Sequence, residues 1–104
     1  MHHQAASGEI VFETPGALGR RLALTDDLEY VHLTIRAGGS IDDHALPVAI
    51  DFFVVAGSGT ATVAGADVTV AAGDLLRVPA STVRSWRNPL KGDLVLLGIK
   101  RVGG

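Results

Sequence analysis

The sequence contains no cysteine, which excludes disulfide bonds and thiolate metal sites. Aromatic residues are also scarce, with 1 Trp, 1 Tyr and 3 Phe in 104 residues. No apolar run approaches the roughly 18 residues of a membrane-spanning helix. The first residues lack the charged start and apolar run of a signal peptide. We therefore expect a protein of the cytoplasm that has no membrane partner.

An excess of charge of one sign is also lacking. The formal net charge is −2, and the Lys and Arg residues are scattered along the chain. A nucleic-acid surface needs clustered basic residues, so we expect no nucleic-acid partner. The hydrophobic share of 47% and the charged share of 19% are typical of a globular protein. We predict one domain over residues 1–104, with residues 1–8 as a flexible tail.

Glycine, by contrast, is abundant, and together with proline it separates short β-rich runs. The chain has 13 Gly and 4 Pro, and this punctuation predicts an all-β sandwich or barrel. The candidate strands are residues 9–13, 28–36, 50–56, 60–64, 67–71, 75–78, 83–87 and 93–100. Residues 60–64 and 67–71 should form a hairpin. Residues 15–24 fit either a short helix or an irregular arm, and Gly57-Ser58-Gly59 is interpreted as a hairpin turn.

Two stretches have a more specific spacing. In the first, Gly38 is followed after five residues by His44, and the stretch ends at Gly57. In the second, Gly73 is followed after five residues by Pro79, and the stretch ends at Asn88. This framework of glycines, proline and asparagine resembles the two motifs of the small single-domain cupins. The resemblance implies an all-β cupin fold, a double-stranded β-helix or jelly-roll barrel.

The metal ligands of that family are mostly missing from this chain. Its two His, one Glu and last His correspond by spacing to His44, Leu46, Ile50 and Arg84. A divalent catalytic site needs about three protein ligands with lone pairs. Leu46 and Ile50 have none, and a guanidinium keeps its positive charge and repels a cation. We therefore expect neither a metal nor another cofactor.

A metal site shifted to neighbouring residues is the alternative. Asp42 and Asp43 precede His44 in a predicted loop, and His32 lies on the preceding candidate strand with an unknown facing. Asp51 follows Ile50 directly, so on a regular strand it points to the opposite face. A metalloenzyme of the dioxygenase or isomerase type would need a metal site built from these neighbouring residues.

The residues at the altered positions predict an anion pocket instead. The planar fork of Arg84 suits a carboxylate or a phosphate, and His44 is a second donor or a general base. Trp86 shares its strand face with Arg84, so it would form a wall of the pocket. The predicted ligand-binding residues are His44, Arg84, Trp86, Leu46 and Ile50. His44 is the one candidate for a catalytic role.

The expected function is metal-independent binding of a small anionic organic ligand inside the barrel. One alternative is a metal-free isomerase or lyase that uses His44 as acid or base. Another is a dimeric scaffold whose barrel is filled by side chains. A separate alternative for Arg84 is an ion pair with Asp42 or Asp43. Small cupins usually dimerise, and the strand at residues 50–56 is apolar on both faces, so we expect a homodimer.

Overall fold

The fold is described for residues 1–102 by a computed structural model. It is built from ten strands in this part of the chain and agrees with the all-β prediction. The strands are β1 Ile10–Thr14, β2 Ala17–Leu24, β3 Leu28–Ile35, β4 Ser40–His44, β5 Ile50–Ala56, β6 Ser58–Val63, β7 Ala66–Ala71, β8 Leu75–Val78, β9 Arg84–Arg87 and β10 Leu94–Arg101. A short 3-10 turn, Ala5–Ser7, precedes them. No helix in residues 1–102 is long and apolar enough to cross a bilayer.

The strands form two antiparallel sheets that enclose the core. The larger sheet has the order β1-β2-β3-β10-β5-β8, and the smaller has the order β4-β9-β6-β7. Alternate side chains of each strand point between the sheets and form one apolar cluster. Its most fully buried side chains include Trp86, Ile35, Leu94, Leu96 and Val54. The predicted jelly-roll architecture is confirmed.

The strand register arranges the inward residues of the larger sheet in rows. At one end, Ala17, Ile35 and Leu94 lie side by side on β2, β3 and β10. Asn88 closes this end, because its side-chain amide donates to the Ile35 carbonyl oxygen at 2.9 Å. At the other end, Glu29, Lys100 and Ile50 lie side by side on β3, β10 and β5. The interior is therefore apolar at one end and partly charged at the other.

Residues 15–24 form neither a helix nor an irregular arm, so that expectation was wrong. Ala17–Leu24 is strand β2, which pairs with β1 on one side and β3 on the other. The segment contains good helix formers, but two ladders of hydrogen bonds override this local preference. Gly19 lies in the ladder where a Cβ atom would stand 3.2 Å from the Phe12 Cβ, so a small residue suits this close packing.

The two turn predictions had different outcomes. The hairpin of β6 and β7 is confirmed, with Ala64 and Gly65 at φ of 50° and 82° in its tight turn. The hairpin interpretation of Gly57-Ser58-Gly59 was wrong, because β5 and β6 belong to different sheets. Gly57 is instead the corner where the chain changes sheets. Its φ is 81°, and a Cβ atom there would collide with the Asp93 carbonyl oxygen.

Asp42 and Asp43 do not lie in a loop, as the sequence suggested, but in strand β4. This strand is at the edge of the smaller sheet and pairs only with β9, with an irregular register between Ile41 and His44. Ile41 is buried, whereas both aspartates are exposed. Charged side chains are common on edge strands because they oppose pairing with another chain.

Candidate functional site

A cavity of about 590 Å³ opens between the two sheets at the charged end of the barrel. Its wall includes all five residues predicted to bind a ligand: His44, Leu46, Ile50, Arg84 and Trp86. The other lining side chains are apolar or charged: Glu9, Ile10, Val11, Phe12, Arg21, Glu29, Val31, Leu33, Ile41, Phe52 and Lys100, with Gly98 among them. The structure thus brings the predicted residues together, and their contact with a ligand stays a prediction.

Arg84 is the most unusual residue of this cavity. It is the first residue of β9, directly opposite His44 of β4 and Val63 of β6, and it is only 2% exposed. Its Nε and Nη1 atoms are buried and have no hydrogen-bond partner among residues 1–102. Burial lowers the pKa of the guanidinium from its ordinary value. A buried cation without a partner is costly, so this site favours an anion.

The carboxylates considered as partners for Arg84 do not fill this role. Asp42 and Asp43 are exposed on β4, and none of the ion pairs within residues 1–102 includes Arg84. The alternative of an ion pair between Arg84 and either aspartate is therefore not what the structure shows. The irregular register of β4 explains this outcome, because only Ile41 of its central residues points into the core.

Trp86 lies two residues along β9 from Arg84 and is 1% exposed. It packs edge-on against Phe52, with ring centroids 5.2 Å apart and an interplanar angle of 75°. Its indole Nε1 is buried and, within the described chain, has no acceptor. The tryptophan is therefore a core residue that also lines the cavity. Together with Nε and Nη1 of Arg84, it gives three buried N–H donors without a partner in residues 1–102.

The rim of the cavity carries a chain of ion pairs that the motif analysis missed. Glu29 accepts hydrogen bonds from Arg21 Nε at 2.7 Å and from Lys100 Nζ at 2.8 Å. Arg21 Nη1 also binds Glu9, at 2.9 Å. Burial raises the pKa of Glu29, but the bonds from Lys100 and Arg21 outweigh it, and the net pKa is lowered. Glu29 is thus an ionised carboxylate that already has two cationic partners.

Strand parity is the signal that could have identified this ion-pair chain. On β3, Glu29 shares its face with Leu33 and Ile35, which belong to the core. On β10, Lys100 shares its face with Leu94 and Leu96. A charged residue at an apolar parity position near a strand end indicates the mouth of a barrel.

His44 is exposed at the edge of the cavity. Its Nδ1 lies 3.1 Å from the Asp42 carbonyl oxygen, and because a carbonyl oxygen only accepts, Nδ1 is the donor in this contact. The imidazole can accept a proton at Nε2 or turn to donate from Nδ1 to a ligand. No carboxylate within residues 1–102 hydrogen-bonds to it, unlike the histidine of a typical acid–base pair.

The residues at this site do not fit a divalent metal. His44 is the single lone-pair donor among the four positions that correspond to cupin ligands, and Arg84 puts a positive charge among them. Asp51 points to the outside of β5 and binds Arg77 at 3.2 Å. His32 stands opposite Arg20 and Leu97 on the outer face of β3. In the described part of the chain, no three His, Cys, Asp or Glu side chains form a metal-sized group.

Solved structures with the same fold are numerous at low identity. KdgF from Halomonas sp. superimposes with a TM-score of 0.85 at 19% identity, covering 97% of this chain and 92% of that one. An RmlC-like cupin from Shewanella frigidimarina gives 0.83 at 22% identity, with coverages of 97% and 90%. A predicted oxalate decarboxylase from Thermotoga maritima gives 0.83 at 18%, with coverages of 98% and 99%. At these identities the likeness shows the fold alone.

Sequence comparison supports the same assignment. No curated protein matches the chain. A family model for the cupin domain matches residues 31–100, which include both motifs and every predicted ligand-binding residue. This match covers most of the chain and agrees with the two-sheet fold and the glycine, proline and asparagine framework. The protein therefore belongs to the cupin family, with an altered set of residues at the positions of the metal ligands.

Proposed function

We propose that this cupin binds a small organic anion inside its barrel without a metal, and that Arg84 is the principal contact. The observation that carries the proposal is the guanidinium itself, which is 2% exposed, unpaired within residues 1–102, and part of a cavity wall. A carboxylate or phosphate would satisfy the buried N–H donors by charge-assisted hydrogen bonds.

The dimensions of the cavity support a ligand rather than a filled scaffold. Its volume of about 590 Å³ lies within the usual range of roughly 300–1,000 Å³ for small-molecule sites. Leu46 and Ile50 line the space without filling it. A barrel closed by these aliphatic side chains would leave no such opening beside Arg84.

The isomerase or lyase alternative rests on His44 and has weaker support. His44 lines the same cavity, and its Nε2 is available as a base. It is exposed, however, and no acidic side chain in residues 1–102 hydrogen-bonds to it. Chelator-resistant turnover that is lost in His44→Ala would establish this alternative, and unchanged turnover in that variant would remove it.

Ligand binding is tested best with Arg84→Lys, which keeps the positive charge but loses the planar guanidinium group. We expect small carboxylates to raise the Tm of the wild type and Arg84→Lys to weaken their binding roughly tenfold or more, since a charged hydrogen bond contributes about 1.5–3 kcal/mol. Calorimetric titration gives the affinities. Arg77→Lys is the matched control, because Arg77 lies outside the barrel and should leave binding unchanged. If neither carboxylates nor phosphate stabilise the wild type, the proposal is wrong.

We also propose that a second copy of the chain covers the outer face of the larger sheet. Phe53, Val55 and Leu75 are 42%, 51% and 59% exposed there. Phe53 stands directly opposite both Leu75 of β8 and Leu97 of β10, so these side chains form a continuous apolar patch. A two-fold dimer would bury this patch against itself.

The patch predicts the effect of one charged substitution on oligomeric state. Phe53→Asp should convert a dimer into a monomer, because two carboxylates would meet near the two-fold axis. Light scattering coupled to size exclusion measures the mass. Val68→Asp is the control, since Val68 is exposed on the edge strand β7 of the other sheet. A wild type that is monomeric at high concentration would contradict the dimer and leave the ligand proposal intact.

A further inference from the structure

We infer that the ligand is a hydrophobic monocarboxylate, an aryl or compact alicyclic acid, and not a phosphate, a dicarboxylate or a sugar acid. This inference rests on the proposed function and specifies the class of anion. Three properties of the cavity wall carry it: its charge balance, the kinds of polar group that it contains, and the position of one glycine.

The charge balance favours one negative charge. The wall contains three permanent cations, Arg21, Arg84 and Lys100, and two carboxylates, Glu9 and Glu29. Arg21 and Lys100 are already bound to these carboxylates, which leaves Arg84 as the wall cation without an ion-pair partner in residues 1–102. A monoanion at Arg84 makes the wall neutral. A phosphate dianion or a dicarboxylate would place its second charge beside apolar side chains or Glu29, where burial is unfavourable.

The polar groups of the wall disfavour a polyhydroxylated ligand. No Ser, Thr, Asn, Gln or Tyr belongs to the lining found in residues 1–102, so His44 and Trp86 are the only neutral side chains there that can hydrogen-bond to sugar hydroxyls. The unpaired groups, Arg84 Nε and Nη1 and Trp86 Nε1, are donors. Donors match the acceptor-only oxygens of a carboxylate. A sugar acid would satisfy them with its carboxylate but would leave several buried hydroxyls without partners.

The remaining wall is apolar and has room for a compact ring. Gly98 of β10 lies between Val31 of β3 and Phe52 of β5 in the same row of inward residues. A Cβ atom at this position would stand 3.4 Å from Ile50 Cδ1 and 3.6 Å from an edge carbon of the Phe52 ring. These are ordinary contact distances, so a Cβ atom is accommodated at Gly98, which itself lines the cavity. The glycine therefore leaves space that a ring would occupy beside Phe52.

Binding of a panel of simple acids to the wild-type protein tests whether the ligand has a single negative charge and an apolar body. Trp86 is the only tryptophan and lines the cavity, so its fluorescence reports occupancy, and calorimetric titration gives the affinities. We expect benzoate and cyclohexanecarboxylate to bind at least tenfold more tightly than acetate, isophthalate, gluconate or inorganic phosphate. Equal or tighter binding of gluconate, isophthalate or phosphate, lost in Arg84→Lys, would overturn this inference and preserve the proposed function. Absence of binding by every member of the panel would overturn both.

The ring position is tested by filling the space at Gly98. Gly98→Val should weaken benzoate binding at least tenfold and leave acetate binding within about twofold, and Gly98→Ala should give a smaller loss in the same direction. Gly92→Val is the matched control, because a Cβ at Gly92 meets nothing within 4 Å and the residue lies outside the cavity. If Gly98→Ala and Gly98→Val fold and bind benzoate as the wild type does, the ring does not lie beside Phe52 and the inference fails.

Discussion

Replacement of Arg84 by methionine is expected to stabilise the ligand-free protein by about 1–3 kcal/mol, because a buried donor without a partner costs roughly that much. Arg84 is 2% exposed, and its Nε and Nη1 lack partners in residues 1–102. Methionine has a similar length and needs no hydrogen bonds, so it can lie along the same path between His44 and Val63. Most substitutions of buried residues are destabilising, and the opposite sign is therefore informative.

Urea denaturation of the ligand-free wild type and of Arg84→Met measures this effect directly. For a domain of this size the gain corresponds to a rise in Tm of about 4 °C or more. Arg77→Met is the matched control, since Arg77 is largely exposed and forms a surface ion pair with Asp51. Its expected effect is within about 1 kcal/mol of zero. A loss of stability in Arg84→Met would indicate that the guanidinium already has a partner and would weaken the case for a ligand.

A gain of stability in Arg84→Met would mean that Arg84 is kept for binding at the expense of stability. A bound carboxylate should raise the Tm of the wild type and leave that of Arg84→Met nearly unchanged, because the ligand acts only on a folded state that binds it. As the benzoate concentration increases, the Tm of the wild type should therefore rise towards that of Arg84→Met and then exceed it. This dependence on ligand separates a binding residue from one that is merely poorly packed.

The parts of the fold that the sequence predicted correctly are those fixed by local backbone geometry. Gly38, Gly57 and Gly73 have φ of 73°, 81° and 93°, where other residues are strained, so their spacing records the positions of turns. Apolar runs bounded by glycine or proline likewise identified β5 and β8 with their observed bounds. The wrong assignment of residues 15–24 has the opposite cause. Strand β2 depends on pairing with β1 and β3, which no local preference reports.

The candidate site was predicted as far as the two motifs extend and no further. The motifs identify His44 and Arg84 as residues at ligand positions, and the structure adds that they lie directly opposite each other on β4 and β9. The rim residues Glu29 and Lys100 come from β3 and β10, which meet only through the topology of the larger sheet. The lack of a partner for Arg84 was also beyond sequence reasoning, because it depends on the irregular register of β4.

Asn88 is the framework residue whose replacement should be most harmful. Its side-chain Nδ2 lies 2.9, 3.3 and 2.8 Å from the carbonyl oxygens of Ile35, Arg36 and Gly92. Its Oδ1 accepts a hydrogen bond from the Leu90 amide at 3.2 Å. The residue is 1% exposed, so water cannot replace these partners without a local opening of the chain. One amide thereby joins the end of β3 to the turn between β9 and β10.

Asn88→Asp, nearly identical in shape, should lower the free energy of unfolding at neutral pH by about 3–5 kcal/mol, the typical cost of a buried charge without compensation. The carboxylate presents oxygen where Nδ2 donates, and it faces three carbonyl oxygens. Since the total stability of a domain is about 5–15 kcal/mol, this loss brings the variant close to unfolding. Urea denaturation of the two proteins at several pH values measures it.

The pH dependence distinguishes the charge effect from simple loss of hydrogen bonds. Burial and the facing carbonyls raise the pKa of the new carboxyl in the folded state above its unfolded value. The folded state then binds more protons, so the variant regains stability relative to the wild type as the pH falls through the folded pKa. Asn88→Ala is the control, with an expected loss of about 1–3 kcal/mol that does not vary with pH. A loss in Asn88→Asp that is equally independent of pH would show that the carboxylate escapes to solvent, and that Asn88 does not lock this end of the barrel.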